Sequence, residues 1–240
     1  MLLEVQQIQK QFDGIVALNN VSFDVNEGEI LGIMGANGAG KTTLFSLIAG
    51  HAKPSSGNIR FSGTDITGKR PDLVCALGIS RTYQIVRPFK GLTVQENVAT
   101  GILYGSRRES SVTVAGEKAR EILQDVGLAD RANDLASTLT LAGSKRLELA
   151  KALATGPKIL LLDEVMAGLT PSEVGQAIEI IETCRTKYAM TIIVIEHVMK
   201  ALMRLCQRIV VLHHGDLIAE GPPEEIAINE QVIEAYLGQE

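Results

Sequence analysis

The sequence lacks any uninterrupted apolar run of about 18 residues, the length that a membrane-spanning helix requires, although 45% of its 240 residues are hydrophobic. It also lacks the apolar segment of a secretory signal peptide, because Glu4 and Lys10 interrupt its first twelve residues. We therefore expect a soluble chain that remains inside the cell.

The sequence also has few cysteines and no excess of basic over acidic residues. The three cysteines, Cys75, Cys184 and Cys206, lie far apart and form no C-x-x-C pair, which argues against a zinc site or a disulfide framework. We predict reduced structural thiols. The 23 Lys and Arg residues are outnumbered by 28 Asp and Glu residues, giving a net charge of −5. Since nucleic-acid-binding surfaces are basic, we predict no nucleic-acid partner.

Glycine, in contrast, is concentrated in residues 35–44, which read GANGAGKTTL between an apolar run and a helix-like segment. The spacing fits G-x-x-x-x-G-K-[ST], a loop whose backbone N–H groups surround phosphate oxygens. Glycine is expected there because a Cβ would block the anion. The lysine reaches the β- and γ-phosphates, and the hydroxyl after it ligates Mg²⁺. The plainer alternative is a glycine turn whose lysine happens to cap it.

The strand before this loop and the helix after it favour phosphate binding. The residues that we expect to bind the nucleotide are Gly35, Asn37, Gly38, Ala39, Gly40, Lys41, Thr42 and Thr43, and Thr42 is also a predicted metal ligand.

The remaining segments predict an α/β fold. Strand-like runs at residues 2–8, 20–25 and 58–61 predict antiparallel strands near the N-terminus. Strands at 159–162, 191–195 and 209–212 alternate with helices at 172–188 and 198–205, which predicts a parallel sheet. Ser172 is the expected N-cap of the first of these helices, with Glu173 in its first turn. Helices at 94–103, 115–126 and 145–154 predict a helical insert, and the polar stretch 107–117 predicts an exposed loop.

Polar residues follow the predicted parallel strands. Asp163 and Glu164 end one strand, where ligands bind in such sheets; a Mg²⁺·ATP complex would explain two adjacent carboxylates, with Asp163 in the metal shell and Glu164 polarising the attacking water. A strand end exposing charge to solvent is the alternative. His197 follows another strand and could donate toward the γ-phosphate. His213 and His214 also follow a strand, so position alone does not select His197.

Together these motifs resemble the ATP-binding subunit of an ABC transporter, over about residues 4–225. The resemblance implies ATP and Mg²⁺ as cofactors and assigns further roles by position. In this reading the adenine stacks on Phe12, Gln84 bridges the metal and a moving subdomain, Asp163 ends the Walker B strand, Glu164 is the catalytic carboxylate, His197 is the switch histidine, and Lys41 belongs to the catalytic set.

The resemblance also implies an architecture. We expect a single ABC ATPase domain of the P-loop NTPase class, residues 1–240, with a RecA-like parallel sheet core and an N-terminal antiparallel β subdomain. Residues 1–87 and 155–240 would form the nucleotide-binding core with the β subdomain, and residues 88–154 the helical subdomain. The implied partners are a second ABC ATPase subunit, transmembrane permease subunits and, indirectly, an external substrate-binding protein. The implied location is cytoplasmic, on the inner face of the cell membrane.

Several phrases, among them PFKGLTVQENV and DEVMAGLTPSE, are similar to the branched-chain amino-acid importer branch of the family. Urea and amide importers share these sequence features, and lipid or lipopolysaccharide exporters share much of the phosphate-site sequence. A soluble ABC ATPase with no membrane partner is a further alternative, although such proteins usually carry two cassettes or a long insertion.

The chain departs from the family pattern in its signature motif. The motif L-S-G-G-Q aligns with residues 139–143, LTLAG, so that Leu141 and Ala142 replace two glycines beside the partner's ATP. Val165 stands where proline is usual, and Thr170 where the family has aspartate. The resemblance with these departures predicts a heterodimer in which this chain serves its partner's ATP less well.

Overall fold

The computed structural model describes residues 1–106, 108–197 and 199–237. Its strands are β1 (Leu3–Phe12), β2 (Ile15–Val25), β3 (Ile30–Met34), β4 (Ser56–Phe61), β5 (Thr64–Asp65), β6 (Ile79–Arg81), β7 (Ile159–Asp163), β8 (Thr191–Ile195), β9 (Arg208–His213) and β10 (Asp216–Gly221). Its helices are α1 (Lys41–Ile48), α2 (Pro71–Leu77), α3 (Val94–Tyr104), α4 (Val112–Asp125), α5 (Leu141–Ala154), α6 (Pro171–Tyr188), α7 (Met199–Leu205), α8 (Pro223–Ala227) and α9 (Glu230–Leu237). The chain divides into two compact units, which we call unit one (residues 1–74 and 191–240) and unit two (residues 75–190).

Unit one contains an antiparallel sheet in the order β2-β1-β4-β5. This confirms the predicted antiparallel strands. β2 begins at Ile15, however, five residues before the predicted start at 20. The reason is the tight turn at Asp13 and Gly14, both with positive φ angles, which lets β2 pair with β1 as far as the Phe12–Ile15 contact.

The parallel strands of unit one lie in the order β9-β3-β8, with β10 antiparallel on β9. Every residue of β3 and β8 is buried, as expected for parallel strands covered on both faces. Arg208 on β9 ties the two sheets together. Its Nε lies 2.8 Å from Oε1 of Glu29, just before β3, and its Nη2 donates to the Asp24 carbonyl on β2 at 2.6 Å.

Unit two pairs β6 with β7 in parallel and packs α3 against α4 and α5. The predicted loop at 107–117 is wrong in its second half, because α4 already begins at Val112. The Ser111 side chain accepts a hydrogen bond from the Val114 N–H and caps the helix, and Ala115 is buried. The polar residues 108–111, just before the helix, extend the predicted loop over the first turn of α4. Arg107 lies outside the described residues.

Two further helix starts differ from prediction. α5 begins at Leu141, four residues early, because the Thr140 hydroxyl accepts from the Gly143 N–H and forms the cap. The N-cap of α6 is Thr170, not Ser172. Pro171 occupies the first helical position, for which its fixed φ is already suited. The predicted start of the 198–205 helix lies at Val198, outside the described residues.

The Thr170 cap is a reciprocal one. The Thr170 N–H donates to Glu173 Oε2 at 2.8 Å while the Thr170 hydroxyl oxygen faces the Glu173 N–H at 3.4 Å. Two hydrogen bonds from Thr170 lower the pKa of the Glu173 carboxyl below its ordinary value. The bond from the Thr170 N–H has the larger effect and the bond from its hydroxyl the smaller. The threonine that departs from the family pattern is therefore the residue that starts α6.

The buried thiols fit a structural role. Cys184 and Cys206 are buried, and burial raises their pKa values to about 11 and about 12. None of the helices that the structure describes combines the length and apolar character that crossing a bilayer requires. The predicted boundaries of the helical subdomain, 88–154, stay a prediction, since units one and two divide the chain elsewhere.

Replacing the true cap of α6 should destabilise the chain more than replacing the expected one. Thr170→Ala removes the capping box, and we expect a loss of about 1 kcal/mol in the free energy of unfolding. Ser172→Ala is the matched control and should change it by less than about 0.5 kcal/mol. Urea unfolding of the isolated chain measures both; equal losses would contradict the assignment of the cap.

Candidate functional site

The loop between β3 and α1 carries the predicted phosphate-binding residues. Gly38 and Gly40 have φ angles of 81° and 104°, which side-chain-bearing residues rarely adopt. A Cβ on Gly40 would lie 2.6 Å from the Ala17 carbonyl oxygen, and one on Gly35 would collide with the Leu212 carbonyl. Besides the expected approach of an anion, the chain's own backbone therefore requires glycine at two positions.

Helix α1 begins at this loop, with Gly40 as an N-cap that has no side chain to cap it. The first N–H groups of a helix have no partner within the helix, and they attract anions. The ammonium of Lys41 donates to the carbonyl oxygens of Gly35 at 2.6 Å and Ala36 at 2.9 Å. A positive charge and the uncapped helix start therefore meet in one loop, which suits a phosphate.

The predicted metal contact of unit one lies at the start of α1, and the predicted adenine contact lies at the end of β1. Phe12 is 47% exposed at the end of β1, with the Lys10 ammonium 4.6 Å from its ring centroid. From there β2 leads to Ala17, beside Gly40. Thr42, the predicted metal ligand of this unit, is exposed at the start of α1. Both side chains are exposed, as contact with a bound nucleotide or metal requires.

His197 lies at the edge of the sheet where the phosphate loop begins. β8 pairs in parallel with β3, with Ile195 opposite Ile33. Because the carboxyl ends of parallel strands meet at one edge, His197 leaves that edge beside Gly35, and it is exposed.

The pairing of β9 with β3 brings a second pair of histidines to this edge, since Val211 lies opposite Met34. The rings of His213 and His214 have centroids 4.2 Å apart. The strand positions thus still do not select His197 among the three.

In unit two, the strand β7 ends in the two predicted carboxylates. Asp163 is 2% exposed and Glu164 is 8% exposed. The alternative of a strand end that exposes its charges to solvent is therefore wrong. An ionised side chain in such surroundings needs a partner. The Arg81 guanidinium supplies one, with Nη2 at 2.6 Å from Asp163 Oδ2.

Glu164 is held from two sides. Gln84 Nε2 donates to its carboxylate at 2.6 Å, and the Lys145 ammonium on α5 donates to its carbonyl oxygen at 2.8 Å. Its φ of 49° is left-handed, a conformation that costs a non-glycine residue on the order of 1 kcal/mol. These bonds hold the carboxylate that is expected to polarise water beside Gln84, the glutamine that is expected to bridge the metal and a moving subdomain.

The altered signature segment starts α5. The Thr140 hydroxyl oxygen accepts from the Gly143 N–H at 3.2 Å, so one of the first-turn amides already has a partner. Leu141, at a family glycine position, is 49% exposed. The helix start remains, but it presents side chains where the family presents bare backbone.

The residues present fit a Mg²⁺ ion that arrives with a nucleotide. Oδ1 of Asp163 is buried and has no hydrogen-bond partner among the residues that the structure describes, and a carboxylate oxygen is a ligand that Mg²⁺ prefers. Within the same described part of the chain, no group of three or more His, Cys, Asp or Glu side chains could hold a metal. Mg²⁺ commonly takes one or two protein ligands together with phosphates.

Sequence reasoning missed two basic residues of this site. Arg81 contacts the Asp163 carboxylate and Lys145 contacts the Glu164 carbonyl oxygen, yet neither residue has a role predicted from the sequence. Arg81 reaches Asp163 because β6 pairs with β7, and Lys145 reaches Glu164 from helix α5. Neither pairing leaves a local sequence signal. The sequence indicates only that a buried Asp163 needs a positively charged partner, without showing which residue provides it.

Comparison with known proteins agrees with these observations. Residues 18–167 match the family model described as ABC transporter, and residues 217–240 match one described as branched-chain amino acid ATP-binding cassette transporter. The high-affinity branched-chain amino acid transport ATP-binding protein LivG of Salmonella typhimurium is 39% identical over 252 residues, covering 99% of this chain and 98% of LivG. The lipopolysaccharide export system ATP-binding protein LptB of Haemophilus influenzae is 31% identical, covering 100% and 98%.

The fold agrees as well. A crystal structure of the ADP conformation of an ATP-binding cassette of an ABC transporter superposes with a TM-score of 0.89 at 30% identity, covering 99% of each chain. The chain belongs to the ABC transporter family. This confirms the predicted family and the ABC ATPase fold.

Proposed function

We propose that the chain is the ATP-binding and ATP-hydrolysing subunit that powers an importer of branched-chain amino acids. The observation that carries the proposal is the complete hydrolytic set in a chain similar to LivG over nearly its whole length. That set comprises Lys41, Thr42, Gln84, Asp163, Glu164 and His197. The lower identity to LptB supports import over export.

Each residue has a proposed task. The loop amides and Lys41 bind the β- and γ-phosphates, and Phe12 stacks on adenine. Thr42, Asp163 and Gln84 supply the protein side of the Mg²⁺ shell. A Mg²⁺ ion held there would supply positive charge against the charge that develops on the phosphates. Glu164 orients and polarises the attacking water, and His197 donates toward the γ-phosphate.

We further propose that the chain works as one half of a heterodimer on the cytoplasmic side of the membrane, attached to permease subunits that an external binding protein supplies. The family resemblance supports this arrangement. The departures at Leu141 and Ala142 support unequal sites, because a helix start with side chains approaches a phosphate less closely than glycine does.

The central test removes the proposed base. Glu164→Gln keeps the Gln84 contact possible but loses the charge, so it should bind Mg·ATP, accumulate as an ATP-bound dimer and hydrolyse ATP about 100-fold more slowly or worse. In cells lacking the native gene it should fail to restore uptake of labelled leucine, which the unaltered chain restores. Glu179→Gln, an exposed change on α6, is the matched control.

Other results would redirect the proposal. Hydrolysis at the unaltered rate in Glu164→Gln would exclude Glu164 as the base. Restored uptake of urea would make urea, not branched-chain amino acids, the proposed substrate. Co-purification with lipopolysaccharide export subunits would make lipopolysaccharide the substrate. Recovery with ribosomes or nucleic acid in place of membrane proteins would favour a non-transport ATPase.

The altered signature generates a separate expectation. In the reconstituted heterodimer, Leu141→Gly combined with Ala142→Gly should raise the steady-state ATPase rate several-fold, because the phosphate of the opposing subunit gains close backbone contact. Ser144→Ala in the same helix turn is the control. An unchanged rate, with unchanged thermal stability, would show that the segment does not limit the second site.

A further inference from the structure

The two oxygens of the Asp163 carboxylate have different surroundings. Oδ2 lies 2.6 Å from Nη2 of Arg81, in an ion pair whose side chains are 8% and 3% exposed. Oδ1 is equally enclosed, yet it has no hydrogen-bond partner within the described residues. One oxygen is thus fixed by the protein, and the other is left to a group that the protein itself does not provide.

The position of Arg81 follows from the β6–β7 pairing. Arg81 lies opposite Leu161, two residues before the aspartate, in a parallel register that runs from Ile79. The next residue, Thr82, continues the alignment, since its N–H donates to the Leu161 carbonyl at 2.9 Å and its hydroxyl accepts from the Asp163 N–H at 3.1 Å. Backbone and side chain together place the guanidinium against one side of the carboxylate.

Stability alone does not account for this pair. A buried ion pair costs so much desolvation that an apolar pair of similar volume is often as stable or more stable. A planar guanidinium, however, restricts the orientation of a carboxylate in a way that a flexible ammonium does not. Residues that contact a metal ligand from outside commonly fix that ligand's orientation and tune its affinity for the metal.

We propose that Arg81 is a positioning residue for Mg²⁺-dependent ATP hydrolysis, an inference that rests on the function proposed above. It holds Oδ2 of Asp163, so that Oδ1 keeps the orientation in which it joins the metal shell. Arg81 itself touches neither nucleotide nor metal. Its role is to keep the binding oxygen oriented before the metal arrives.

The test measures metal affinity directly. Mn²⁺ replaces Mg²⁺, and its binding to the ATP complex is followed by electron paramagnetic resonance in the Glu164→Gln background, where ATP persists. We expect Arg81→Met to weaken Mn²⁺ binding by about 10- to 100-fold, while ATP binding in EDTA changes by less than about twofold. In the hydrolytically active background, the Mg²⁺ concentration for half-maximal rate should rise in parallel.

Two further variants keep the result interpretable. Arg81→Lys retains the charge without the rigid planar guanidinium, so it should fold even if Arg81→Met does not and should weaken Mn²⁺ binding to an intermediate degree. Arg131→Met breaks an ion pair with Asp134 at the surface of the same unit and should leave Mn²⁺ affinity unchanged. In an Asp163→Asn background, Arg81→Met should add no further loss, because the two changes act through one ligand.

Each contrary outcome is distinct. Unchanged Mn²⁺ affinity in both Arg81 variants, with lowered melting temperature, would make Arg81 a structural residue only and overturn the inference. Tighter Mn²⁺ binding would overturn it as well, by showing that Arg81 competes with the metal. Failure of the unaltered chain to bind Mn·ATP at all would instead overturn the proposed function.

Discussion

The burial of two adjacent acidic residues at the end of β7 is the constraint on which the active residues of unit two depend. A carboxylate removed from water must be compensated, and here the compensation is divided. Asp163 pairs with Arg81, whereas Glu164 receives Gln84 on its carboxylate and Lys145 on its backbone carbonyl. The proposed metal ligand Asp163 and the proposed base Glu164 are thus set in place by the same network that makes their burial tolerable.

Unit one prepares the other half of the chemistry by backbone geometry. The phosphate loop is shaped by close approach of Ala17 and Leu212 to Gly40 and Gly35, and the ammonium of Lys41 is already directed back onto the loop. The loop backbone is thus ordered by packing within the chain, and such preorganisation lowers the entropic cost of binding phosphate.

Much of this arrangement could be predicted from the sequence, because the decisive signals are local. The glycine spacing, the buried strand before Asp163 and the alternation of strands and helices each lie within a few residues. The errors are local too. Ser172 follows Pro171 and precedes the acidic Glu173, so it resembles an N-cap, and the polar residues up to Ser111 extend the predicted loop over the first turn of α4. Arg81 and Lys145 could not be assigned, because their contacts depend on strand pairing and helix packing between distant residues.

Calorimetric titration of the folded chain with ATP, with and without Mg²⁺, tests most directly whether the glycine loop binds a nucleotide. Binding should be saturable with a dissociation constant below about 1 mM, strengthened by Mg²⁺ and lost in Lys41→Ala. A chain that is folded by circular dichroism yet shows no binding of Mg·ATP at millimolar concentration would contradict nucleotide binding by this loop.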